Sequence, residues 1–139
     1  AIVVMPGIKN LNDREFIRTF QVTDRIIQYN NPIFMLVWVG SVIAIIVSAL
    51  YGIGRLHGVD LFLLALASLA YVLGVQLSTI AIHLPLNNKL QTLDVDAMKE
   101  SDIKVARNDF ETRWNTSNSI RTALSICVSV LLMILLFRQ

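Results

Sequence analysis

The chain has 139 residues, of which 55% are hydrophobic and 16% charged, with a formal net charge of +2 and a mean hydropathy of +0.61. Soluble domains carry ~25% charged residues, so the composition points to a membrane protein with no room for a separate soluble domain, and the small, mixed charge excludes a nucleic-acid partner. The lone cysteine, Cys127, excludes an internal disulfide.

The opening residues Ala1-Ile2-Val3-Val4-Met5 read as the last turn of a membrane helix whose earlier part lies outside this sequence, broken by Pro6-Gly7. That gives four spans; the alternative is a three-span protein with a frayed start. Asn12-Asp13-Arg14-Glu15 then has capping-box spacing. Phe16, Phe20, Thr23 and Ile27 recur at helical spacing opposite Arg14, Arg18 and Arg25. The pattern predicts an amphipathic helix that lies at the membrane surface or caps the bundle.

Asn31-Pro32 starts the next helix, because proline suits a first turn. Ile26 to Gly54 carries no charge and Leu61 to Asn88 carries none apart from His83. Each exceeds the ~20 residues that cross ~30 Å of hydrocarbon. The spans are predicted at about 1–5, 32–53, 61–83 and 119–137. The connection Arg55 to Asp60 makes the middle two an antiparallel hairpin, and Pro85 is expected to disturb the end of the third span. Asn87 to Glu100 reads as polar and irregular. From Asp102 onward one long helix, or two with a soft break near Asn115–Asn118, carries Ile103, Phe110 and Trp114 on one face. Its uncharged part, Thr122 to Phe137, is only about 24 Å long, so Arg121 is drawn to the membrane boundary.

Lys9, Arg14, Arg18, Arg25, Lys89, Lys99, Lys104, Arg107 and Arg113 fall on one side, and Arg55 and Arg138 on the other. The positive-inside rule makes loops 8–31 and 84–118 cytoplasmic, for a protein of a bacterial inner membrane. Small residues recur four apart at Gly40/Ala44, Ser48/Gly52 and Gly74/Ser78, a spacing that lets membrane helices approach and is compatible with homo-oligomers or a membrane-complex partner.

Polar residues in the spans form stripes: Trp38, Ser41 and Ser48; Ser68, Gln76, Thr79 and His83; Asn118, Thr122, Ser125 and Ser129, with Arg121 beside Ser125. The ordinary reading of such stripes is interhelical hydrogen bonding. At one boundary, however, His83, Asn87, Trp114, Asn118, Arg121 and Asn31 gather a proton carrier, a fixed cation and amides at one depth. His57 lies a full span from His83, so no two-histidine metal site is expected. No acidic residue lies within a span, which leaves ion-coupled transport little to work with.

His83-Leu84-Pro85-Leu86-Asn87-Asn88-Lys89-Leu90, with Met5-Pro6-Gly7, Asn31-Pro32, Arg113-Trp114-Asn115 and Ile120-Arg121-Thr122, resembles the anthrone oxygenase-like family of small four-span membrane proteins. The resemblance covers nearly the whole chain. It implies an all-α transmembrane four-helix bundle and, from its fungal members, oxidation of an anthrone to an anthraquinone by molecular oxygen without a recognised cofactor. Carried onto this sequence, the chemistry makes His83 the base and Arg121 the holder of the resulting anion. Asn87, Asn118 and Asn31 would orient an apolar aromatic substrate and Trp114 would stack on it. The competing expectation is a non-catalytic membrane subunit or scaffold whose polar stripes only pack helices.

Overall fold

The computed structural model describes residues 3–29 and 31–139. Its elements are α1 (Val4–Ile8), α2 (Asp13–Gln28), α3 (Pro32–Ile53), α4 (Gly58–Leu69), α5 (Leu84–Gln91) and α6 (Glu100–Phe137). Between α4 and α5 the helix widens into π-helical turns at Ala70–Gln76 and Thr79–His83. Three helices are long and apolar enough to cross a membrane: Pro32–Ile53, Gly58–Gln91 and Glu100–Phe137. The protein is an all-α integral membrane protein.

Several expected boundaries move. Ala1 and Ile2, the start of the expected first helix end, lie outside the described residues. The rest of that stretch does not stop at Pro6-Gly7, because α1 runs through them to Ile8. Proline is tolerated within the first helical turn, where its missing N–H has no partner to lose. The end of the third span is disturbed just before Pro85, as expected, by the π-helical turn Thr79–His83, but the helix does not stop there. Helix continues to Gln91, with Pro85 at the second position of α5 and π-helical winding just before it. Asn87 to Gln91 is therefore helical rather than irregular, and no break interrupts α6 at Asn115–Asn118.

Contacts divide the chain into two compact units, Ala1–Asn31 with Ile80–Ser119, and Pro32–Thr79 with Ile120–Gln139. In the first, Asn12 caps α2 as predicted, its Oδ1 accepting from Glu15 N–H at 2.9 Å. The buried stripe of α2 is Phe16, Ile17, Phe20 and Asp24, whereas Thr23 and Ile27 are exposed. That stripe packs with Leu86, Leu90, Ile103, Phe110 and Trp114 into one core. The rings of Phe20 and Phe110 meet edge to face at 4.5 Å, a preferred aromatic geometry.

Arg107 shares the inward face of α6 with Ile103, Phe110 and Trp114, and is buried. It donates to Asp13 and Glu111, both at 2.9 Å, and to the carbonyls of Leu11 at 2.8 Å and Lys9 at 2.7 Å. Its guanidinium also lies over the Phe16 ring. Burial acts to lower its pKa, yet the hydrogen bonds and charges of Glu111 and Asp13 raise it above the ordinary value. The arginine thus stays charged and holds the α1–α2 turn to α6. Arg14 does the same for the segment before α6, bonding Glu100 at 2.8 Å, the Met98 carbonyl at 3.0 Å, and the Val95 carbonyl.

In the second unit α3 and α4 pack through Gly52, where a Cβ would meet Leu64 Cδ2 at 2.2 Å. Gly74 gives the same close approach to Leu124 of α6, at 2.6 Å, whereas Gly40 has nothing within 4 Å. Two of the predicted small-residue positions are therefore packing contacts, and the third is open. At the far end of α6, Arg138 donates to Asp60 at 2.5 Å.

Candidate functional site

The first unit brings three of the predicted residues together. Asp24, only 5% exposed, accepts from Asn87 Nδ2 at 2.8 Å, Gln28 Nε2 at 2.7 Å and Gln91 Nε2 at 3.2 Å. An amide carries its donors on one side and its acceptor on the other. Holding the donor side of Asn87 on Asp24 therefore turns its Oδ1 toward Trp114, whose Nε1–H donates to it at 3.0 Å. The indole then meets the buried His83 ring edge-on, centroids 5.1 Å apart, and Ser117 Oγ lies 3.2 Å from His83 Nε2. Asn118 is buried next to Ser117, and Asn31 is half-buried ahead of α3.

Sequence reasoning missed Asp24 and Ser117 in this network. Asp24 had a signal: it lies four residues after Phe20, on the face that Phe16 begins. A stripe read at four-residue steps would have included it.

Arg121 belongs to the second unit. There it is half-buried, with Nη1 donating to Thr79 Oγ1 at 3.1 Å. Two of the predicted polar stripes thus meet in this unit, one through Thr79 and the other through Arg121. Arg121 and Thr122 line a wide-open, groove-like cavity of about 430 Å³, with Val75, Ser125, Ser129 and Met133 also in its lining. No acidic side chain lines it. A second cavity, of about 320 Å³, is lined by Ser41, Ser48, Tyr71, Ser125 and Ser129 with four aliphatic side chains.

Hydroxyls in a span normally donate to a carbonyl of their own helix. Ser41, Ser68, Ser78, Thr79, Ser125 and Ser129 all do so here. Among the described serines and threonines of the second unit, Ser48 and Thr122 make no hydrogen bond, and each lines one of the cavities.

The polar side chains around the second cavity form a ring. Trp38 Nε1 donates to Gln76 Oε1 at 2.8 Å, and Gln76 Nε2 donates to the Tyr71 hydroxyl at 2.6 Å. Tyr71 and Ser41 Oγ are 2.5 Å apart, and Ser41 Oγ donates to the Trp38 carbonyl at 2.7 Å. Residues five apart on an α-helix point about 140° away from each other. The π-helical turn Ala70–Gln76, closed by bonds five residues apart, instead sets Gln76 over Tyr71. Tyr71 lies three residues after Ser68, near that stripe at the 3.6-residue period, but only the widened turn sets it beside Gln76.

Among the described residues, no group of three or more His, Cys, Asp or Glu side chains is placed to hold a metal. No curated protein and no solved structure matches this chain. A family model described as "Anthrone oxygenase" matches residues 25–131, which include His83, Asn87, Trp114, Asn118 and Arg121. With well over half its length matched, and with the helices that such a membrane family requires, the chain belongs to the anthrone oxygenase family.

Proposed function

We propose that the protein is a membrane-embedded oxygenase that converts the activated methylene of an apolar, anthrone-like aromatic substrate to a ketone, using molecular oxygen. The supporting observation is the cavity in which Arg121 stands among aliphatic and hydroxyl side chains, with no carboxylate in the lining. Its volume of about 430 Å³ lies in the range of small-molecule sites. A flat neutral ring system suits such walls, and the enolate formed from it would be held by the guanidinium. Loss of a proton gives the enolate, which adds oxygen to form a peroxide. Protonation and loss of water then leave the ketone, so substrate plus oxygen yields product plus one water.

His83 is the proposed proton acceptor in this scheme, and Asn118 and Asn31 are proposed to orient substrate oxygens. The loops 8–31 and 84–118 are proposed to be cytoplasmic, from the distribution of lysine and arginine. A test uses the protein in nanodiscs with anthrone and air-saturated buffer, following anthraquinone absorbance. Arg121→Gln and His83→Gln are each expected to lose about 100-fold in rate. Wild-type turnover no faster than empty nanodiscs, or variants as fast as wild type, overturns the reading.

One observation favours the alternative of a non-catalytic membrane subunit: Asn87 and Trp114 are engaged with Asp24 and His83 rather than turned to an open space. If these side chains serve only the fold, Asp24→Ala lowers the unfolding temperature while the wild-type protein turns over no anthrone.

A further inference from the structure

We propose that the second cavity, the one beside Tyr71, is a separate binding site for an uncharged aromatic ligand that carries a hydroxyl group. This site does not rest on the oxygenase reading, since neither Arg121 nor His83 lines it. Its lining contains no charged side chain, so a charged ligand would lose its hydration with nothing to replace it. The volume of about 320 Å³ suits roughly two or three fused rings.

The hydrogen-bonded ring sets what the site recognises. Trp38 N–H has only donor character, so it fixes Gln76 Oε1 as its acceptor and leaves Gln76 Nε2 to donate to Tyr71. Ser41 has a single proton, which goes to the Trp38 carbonyl. The Tyr71 proton is thereby directed to Ser41 Oγ. A phenolic oxygen has two lone pairs, one of which is taken by Gln76. What remains for a ligand is an acceptor, and the ligand must bring a donor. Ser48, exposed at the open side of the cavity, offers a donor and an acceptor on α3. A phenol matches this set, whereas a bare hydrocarbon leaves it unused.

The competing occupant is a lipid acyl chain, which would fill the volume without reading the hydroxyls. The test titrates 2-naphthol and naphthalene into the protein in nanodiscs, against empty nanodiscs, and follows the emission of each probe. Saturable binding of 2-naphthol is expected, with naphthalene weaker by about tenfold. Tyr71→Phe is expected to reduce naphthol affinity by about tenfold and to leave naphthalene unchanged. Ser48→Ala, which lies outside the hydrogen-bonded ring, should cost about threefold even if Tyr71→Phe unfolds. Ala44→Leu, which narrows the cavity, should abolish saturation. Equal affinity for the two probes, or 2-naphthol binding unaffected by both Ser48→Ala and Ala44→Leu, overturns the proposal in favour of a lipid chain.

Discussion

The two units of this protein solve opposite packing problems. In the first, Phe16, Ile17 and Ile103 are completely buried, and cations such as Arg14 and Arg107 are paired around the core. In the second, apolar side chains face outward: the apolar window of α3 is only 6% buried, and Leu36 and Leu50 are 74% and 69% exposed. Water drives the first arrangement, since burial of apolar surface stabilises it. Lipid is as apolar as leucine and gives no such drive, so the second relies on close approach and hydrogen bonds between helices. The largest test sets one substitution against the other. Phe16→Ala should cost about 3–5 kcal/mol, and Leu50→Ala should change stability by less than about 0.5 kcal/mol, read from reversible unfolding in mixed micelles. A cost at Leu50 equal to that at Phe16 would mean that the second unit also depends on a protein core.

The second unit should instead be sensitive where a leucine side chain packs closely on a glycine. Gly52→Ala puts a methyl group into the buried Leu64 side chain, and should cost about 1–3 kcal/mol. Leu64→Ala in the same chain removes the clash, so the double-mutant cycle should show a favourable coupling of about 1 kcal/mol. Gly40→Ala meets nothing and should be near neutral. If Gly40→Ala and Gly52→Ala behave alike, close approach is not what holds these helices.

The same contrast governs what could be read from the sequence. Membrane-spanning segments announce themselves through length and absence of charge, and Pro32–Ile53 coincides with its predicted span. The cap at Asn12 and the inward face of Ile103, Phe110 and Trp114 were also legible, because local hydrogen bonding and a 3.6-residue period suffice for them. Arg107 was not, although it falls on a buried face. A charged residue on such a face reads as a boundary of the apolar stripe until its partners, distant in sequence, are known. Span lengths set Asn87 and Trp114 at one depth without indicating that they touch, and the Asp24 amide cluster depends on long-range pairing. The Tyr71–Gln76 contact was hidden for a different reason. No regular period places Tyr71 over Gln76, and the π-helical turn that does so leaves no distinct mark in the composition around it.

The smallest expected effect concerns the charged rim of the first unit. Lys89 donates to Asp109 at 2.7 Å, and this hydrogen bond, with the lysine's charge, holds the Asp109 carboxyl below its ordinary range; Arg113 adds to the shift. A lowered folded-state pKa means that the unfolded chain takes up the proton first as pH falls. The pair's contribution is therefore complete above the ordinary aspartate value of ~3.9, and disappears as pH drops through the lower folded value. Lys89 is largely exposed and Asp109 partly so, so the contribution is small and screened by salt. The unfolding temperature of wild type should exceed that of Lys89→Met slightly at pH 6 in low salt. The gap should close both in acid and at high ionic strength, while the loss in Phe16→Ala persists under either condition. A gap at Lys89 that survived acid and salt would place this pair with the buried interactions around Arg107 rather than on an exposed rim.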